Sequence, residues 1–215
     1  MKLPILRISK SRWSEPAQAR AREIVARYPD RRSAVMPLMY LAMREDKWLS
    51  DAGIEEVAEW TGLTPAQVRA VATFHGMFKT QRTGRYLISV CTSISCMLRG
   101  GDGVLEALEE EAGVPVGETD PEGFITLEEV ECLGACGGAP AVQVNYELIE
   151  GITPAGAREL IKYLRAVRPS EIKADDIQEW FGSRASFDLG VREPEGAIGP
   201  FPAFGPYGTS SGGAE

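Results

Sequence analysis

The sequence predicts an α/β protein in which a small N-terminal helical bundle precedes a strand-bearing domain and a Gly/Pro-rich C-terminal tail. Three observations carry this. Residues 14–75 show apolar stripes at helical spacing, each opened by a capping residue. After Gly84 the period becomes that of strands, in the order β, α, β, β, α. Beyond about Pro169 the pattern decays, and 11 of the 26 residues Gly190 to Glu215 are glycine or proline, too many to build a core. The expected division is a helical bundle over 1–80, a small α/β domain over 81–168 and an extended tail over 169–215.

Each helix has its own start and stop. Ser14 can cap the first, with Glu15 and Pro16 in its opening turn and Pro29 ending it after Tyr28. Ser33 is the expected cap of the second, whose stripe is Val35, Leu38, Met39, Ala42 and Met43. Asp51 opens a third, with Ile54, Val57, Ala58 and Trp60 inward and Gly62 as its stop. Thr64 caps a fourth beginning at Pro65, with Val68, Val71, Ala72 and Phe74 inward. Four short helices on short loops form a bundle. The polar stretch Gln81 to Gly84 reads as a linker. Then Tyr86 to Cys91 is a strand, Asp102 is the expected cap of a helix carrying Val104, Leu105 and Leu108, and Phe124 to Cys132 is a second strand. Ala141 to Asn145 is a third, and Pro154 to Val167 a closing helix with Leu160, Ile161 and Leu164 inward. Sheet and helices in that order make a small layered α/β domain.

Composition narrows the function. At 44% hydrophobic and 25% charged residues the chain is neither disordered nor fibrous. Its apolar runs fall far short of the roughly 18–20 residues of a spanning helix, which argues against membrane insertion. Met1 to Trp13 is basic and free of acid, but lacks the apolar core of a secretory signal and holds only two serines, few for a transit peptide. Charge is uneven: residues 1–50 carry 11 Lys or Arg against 5 Asp or Glu, and Gly100 to Ala135 carries 11 acids and no Lys or Arg. A basic head on an acidic body suits docking onto another protein.

The four cysteines are the chemical signal. Four residues separate Cys91 from Cys96, three separate Cys132 from Cys136, and 35 lie between the pairs. Each pair follows a strand, so two loops at the same ends of neighbouring strands can present four thiolates to one centre. Gly134, Gly137 and Gly138 let the second loop take backbone conformations and close amide contacts closed to other residues. Without an export signal two disulfides are disfavoured, and the Cys-x-x-Cys of a dithiol redox site is absent. Structural zinc and an iron–sulfur cluster both remain open on chemistry alone.

The words around the cysteines go further. Cys91-x4-Cys96-Met-Leu-Arg-Gly100, then Glu131-Cys-Leu-Gly-Ala-Cys136-x-x-Ala-Pro140 and Val144-Asn145, resemble the thioredoxin-like [2Fe–2S] ferredoxin family, and within it the branch serving NADH:quinone oxidoreductase (respiratory complex I). The resemblance runs from about Ala17 to Val167, and Thr73-Phe-His-Gly-Met-Phe78 looks like the family's segment between its helical and cluster domains, departing from the pattern at His75-Gly76. It implies a thioredoxin-like α/β domain in which Cys91, Cys96, Cys132 and Cys136 ligate one [2Fe–2S] cluster. It also implies a single-electron carrier with no complete active site of its own. FMN and NADH would sit only on a partner flavin- and NADH-binding subunit, beside a neighbouring iron–sulfur subunit. The implied location is the peripheral arm, on the cytoplasmic side of the inner membrane or the matrix side of a mitochondrial one. The same module serves NAD-linked soluble hydrogenases and formate dehydrogenases, which is the alternative host. A different class is a zinc-stabilised DNA-binding or scaffold protein.

Other features point to packing. Asp51 to Phe74 is similar to a helix-turn-helix, but Arg69 stands there against Asp51, Glu55, Glu56 and Glu59, the wrong charge for phosphates; no nucleic-acid partner is expected. His75, the one histidine, is expected in packing or at an interface, as are Trp13, Trp48, Trp60 and Trp180. Gly100, Gly101 and Gly103 lack the spacing of a dinucleotide fingerprint. Glu128, Glu129 and Glu131 lie close to ligand positions and oppose the added electron of a reduced cluster, so a low reduction potential is expected.

Overall fold

The computed structural model describes residues 11–183, 185 and 196–199. The basic start before Ser11 and most of the Gly/Pro-rich stretch 190–215 lie outside the described residues. The chain divides into two compact units, one through Arg82 and the other from Thr83.

The first unit is built by α1 (Glu15–Ala26), α2 (Val35–Asp46), α3 (Asp51–Thr61) and α4 (Pro65–Phe74). Ser14 caps α1 by accepting from Ala17 N–H, Ser50 caps α3, and Thr64 and Gln67 close a reciprocal capping box on α4; each cap is worth about 1 kcal/mol. The second helix departs from expectation. A 3-10 turn, Arg31–Ala34, precedes it and is capped by Asp30, which accepts from Arg32 N–H, so Ser33 sits inside the turn instead of capping it. Leu38, Met39, Met43, Ile54, Val57 and Val68 are buried together, and Trp13 stacks on Trp60 at 6.2 Å. Phe74, expected inward, is instead 82% exposed: it is the last residue of α4, past the turn that Val68 and Ala72 bury.

Glu56 is buried on α3 and is no surface acid. Its carboxylate accepts from Trp60 Nε1 at 3.0 Å, Arg12 N–H at 3.1 Å and the Ser11 hydroxyl, tying the chain before α1 into the bundle.

The second unit carries a four-stranded sheet in the order β2-β1-β3-β4, from β1 (Tyr86–Cys91), β2 (Ile125–Val130), β3 (Ala141–Val144) and β4 (Glu147–Glu150). β1 pairs parallel with β2 and antiparallel with β3, and β3 pairs antiparallel with β4. A parallel pair needs a long crossover, here α5 (Ile94–Leu98) and α6 (Gly101–Ala112). α6 and α7 (Pro154–Val167) bury Val104, Leu108, Leu160, Ile161 and Leu164 with Ile88, Val90 and Leu127 of the sheet.

Four elements differ from the sequence expectation. α5 is an additional single turn, and α6 starts behind Gly100, which takes the left-handed conformation (φ 92°), with Asp102 inside its first turn rather than capping it. β4 is an additional strand; Asn145 and Tyr146, both at positive φ (51° and 72°), make the two-residue hairpin turn that right-twisted strands favour. The stretch after Pro169, expected to be extended, holds α8 (Ala174–Phe181), whose Ile177 joins the core, and Ile172 bridges to Ala197.

Glu56→Ala leaves Trp60 Nε1 and the Arg12 amide without their acceptor. A loss of about 1–3 kcal/mol in urea unfolding is expected, against little change for the exposed Glu59→Ala.

Candidate metal centre

Cys91, the last residue of β1, is in register with Val130, the last of β2. Both strands therefore end together, and the chain leaves them toward Cys96 on one side and Cys132 on the other. Cys96 lies on α5. Cys91 and Cys96 are buried and pack with Ala135, Ala139 and Ala141; Cys132 and Cys136 are exposed, their sulfurs 3.4 Å apart. All four are free thiols. His75 lies in the first unit, edge-on to Phe74 (4.9 Å) and Phe78 (6.1 Å).

The backbone shapes both loops through glycine. Gly134, at φ +81°, directs its N–H to the Cys132 sulfur at 3.4 Å. Gly101 starts α6 against the first pair: a Cβ there would stand 2.9 Å from the Cys96 carbonyl oxygen and 3.1 Å from that of Cys91.

The thiols differ in acidity. Burial, and then the hydrogen bond with Cys91, push Cys96 up to about 11. The Gly134 amide, and then the Cys136 thiol, hold Cys132 below the usual thiol range, while Cys136 is pushed up by donating to Cys132.

Hydroxyls escaped the sequence expectation. Ser89 donates to Glu128 at 2.7 Å, Thr92 to Glu129 at 2.5 Å and Ser93 to Glu131 at 3.1 Å, so strand and loop on one side hold the acids of the other. The signal is in the register, which sets Ser89 opposite Glu128. Around this end Ile94 and Leu98 of α5 are 66% and 75% exposed.

Among the described residues no three His, Cys, Asp or Glu side chains converge as ligands of a single metal ion. The thiols instead stand as two pairs. Four thiols in two pairs, with an amide donor at one sulfur, fit an iron–sulfur cluster, which takes four thiolates.

This sheet, its crossover and the paired cysteines define a thioredoxin-like iron–sulfur protein: the chain belongs to the thioredoxin-like [2Fe-2S] ferredoxin family, whose model it matches over residues 21–165. It is similar to a subunit of the NADH-quinone oxidoreductase of Mycobacterium tuberculosis, at 46% identity over 149 residues, 69% of this chain. The match spans 59% of that relative's own length. NADH-quinone oxidoreductase subunit 2 of Thermus thermophilus is 40% identical over 147 residues, 67% of this chain and 81% of the relative. Among solved structures, an NAD+-reducing [NiFe]-hydrogenase shares the fold with TM-score 0.57 at 21% identity, over 68% of this chain and 25% of the other.

Gly101→Ala is expected to lower stability by about 1–3 kcal/mol through overpacking and to disturb the Cys91–Cys96 loop, read by thermal unfolding and by faster thiol labelling of Cys96. Gly103→Ala, whose added Cβ meets only Pro154 at 3.7 Å, serves as the control.

Proposed function

We propose that this chain is the electron-transfer subunit of an NADH:quinone oxidoreductase, and that Cys91, Cys96, Cys132 and Cys136 hold one [2Fe–2S] cluster. The observation that supports this best is the meeting of two cysteine pairs at the shared end of β1 and β2, in a chain 40–46% identical to subunits of that enzyme. Bound there, such a cluster supplies one-electron storage and transfer.

The chain's own residues set the conditions. Cys91 and Cys96 with their alanine packing keep water from the inner side, and the exposed Cys132 and Cys136 give the outer side a short path to a partner. The Gly134 N–H stabilises negative charge on the Cys132 sulfur. Glu129 and Glu131, held by hydroxyls, place fixed negative charge beside the ligands and disfavour the reduced state. In this reading the electron partner is the FMN of an NADH-binding subunit, with a neighbouring iron–sulfur subunit in the same peripheral arm. No described helix is long and apolar enough to cross a membrane. The alternative host, a soluble NAD-linked hydrogenase, shares the fold, but the identities to NADH-quinone oxidoreductase subunits are about twice as high.

Anaerobically isolated chain is expected to be red-brown, to hold iron and acid-labile sulfide in equal amounts, and to give a spin-half resonance after dithionite. Stoichiometric zinc without sulfide overturns the assignment. Cys132→Ser is expected to lose or perturb that resonance. Co-purification with a flavin subunit and a quinone-reducing membrane arm decides between the two hosts.

Glu131→Gln is expected to raise the reduction potential by up to about 40 mV, the equivalent of about 1 kcal/mol for one charge at contact distance in water. A redox titration with no upward shift removes the electrostatic role.

A further inference from the structure

α8 lies outside the stretch matched by the family model, and yet it reaches the exposed cysteine loop in two steps. β4 is an edge strand, so the outward N–H and C=O of its last residue, Glu150, have no further strand to pair with. Gln178 of α8 takes the place of that strand. Its Oε1 accepts from Glu150 N–H at 2.7 Å and its Nε2 donates to the Glu150 carbonyl at 3.2 Å. Ser183 N–H reaches the same carbonyl at 3.3 Å. Gly182 makes room: a Cβ there would stand 2.7 Å from both the Gln178 Cδ and the Glu150 oxygen.

The second step is the side chain of Glu150. It is 3% exposed and lies under the turn that follows Cys136. A Cβ on Gly138 would stand 2.7 Å from both Cβ and Cδ of Glu150, so the two residues fill one space, and Cβ is too near the backbone to swing away. Gly138 N–H in turn donates to Ala135 at 3.1 Å, and Gly151 N–H donates to the Gly138 carbonyl. Backbone movement at Glu150 is thus passed directly to the turn that carries Cys136.

We propose that Gln178 and Glu150 are positioning residues of the metal centre. The helix after the family-shared domain clamps the edge strand, and the clamped Glu150 seats the Cys132–Cys136 loop through Gly138. This rests on the reading above that these cysteines are ligands. Their effect on the centre is one of geometry: a loop held in its liganding shape releases metal more slowly than one that has to be ordered first. α8 also stays docked without Gln178, because Ile177 is in the core and Phe181 packs on Tyr163.

The test uses the full chain with its cluster, as wild type, Gln178→Ala, Glu150→Ala, Glu150→Gln and Gly138→Ala. Cluster loss to a chelator is expected to be about tenfold faster in Gln178→Ala, Glu150→Ala and Gly138→Ala, with a broadened resonance. Glu150→Gln keeps the shape of the side chain and is expected to stay close to wild type. A second readout needs no cluster: in the metal-free chain, alkylation of Cys136 followed by mass spectrometry is expected to rise several-fold in Gln178→Ala while that of buried Cys91 is unchanged. A Gln178→Ala protein that melts like wild type and shows wild-type rates in both assays overturns the proposal, as does a Glu150→Gln rate equal to that of Glu150→Ala. If wild type holds no cluster, the ligand assignment fails by itself, and the alkylation rates still decide whether the clamp orders the loop.

Discussion

The parallel pairing of β1 with β2 is the constraint from which the centre follows. Two antiparallel neighbours would send Cys91 and Cys132 to opposite ends of the sheet. A parallel pair ends on one side, and Cys91 opposite Val130 leaves both cysteine loops there. The same pairing demands a crossover, and its start is used for the site: α5 carries Cys96, and Gly101 lets α6 begin directly against the carbonyl groups of both first-pair cysteines. Fold and cysteine spacing are one problem here. Four residues between Cys91 and Cys96 suffice because the crossover opens with the single turn α5, on which Cys96 lies.

The acids at this end are held in a way that preserves their charge. Glu110 meets Arg158 at 2.7 Å and Glu109 accepts from Val116 N–H at 2.9 Å, which are ordinary structural uses far along α6. Glu129 and Glu131 take hydroxyl donors from Thr92 and Ser93. A hydroxyl orders a carboxylate without cancelling its field, whereas a lysine or arginine would neutralise most of it. The stretch Gly100 to Ala135, with no basic residue of its own, therefore serves two ends. Its helical acids support packing, and its acids on β2 and in the loop after it keep negative potential at the thiols.

Much of this was legible in the sequence, and the exceptions have physical reasons. Ser14 and Thr64-Pro65 announce helix starts because a cap and a proline solve the same problem of unpaired amides. β1 follows from its β-rich residues and α7 from its apolar period. The family resemblance of the cysteine words agrees with the match over residues 21–165. α5 is hidden because one turn has no period to read, and β4 because four residues after Asn145-Tyr146 lack the Asn-Gly signal of a tight hairpin. Asp102 offers a cap that Gly100 makes unnecessary. Phe74 follows the apolar stripe of α4, but it is that helix's last residue and stands beyond Ala72, the last one buried there. The hydroxyl–carboxylate contacts depend on strand register, which no local pattern encodes.

α8 shows why a tail can look extended in sequence and still fold. Alone, Ala174 to Phe181 is a short amphipathic segment, too short to be helical in water without tertiary support. Its stability comes from Ile177 in the core and from Gln178 on β4, 28 positions from Glu150. An uncovered β4 would leave the sheet with an open edge beside the second cysteine loop, and edges bind other strands. A strand added there would complete the hydrogen bonds, but it would bring its own backbone against Gly138 and the second cysteine loop. A glutamine closes the edge at one residue only, with a donor and an acceptor in the right places, and leaves the loop its room. Cover of the edge and support of the loop are thus met by the same side chain, and that places a constraint on residue 178 which a solvent-facing helix position would not carry.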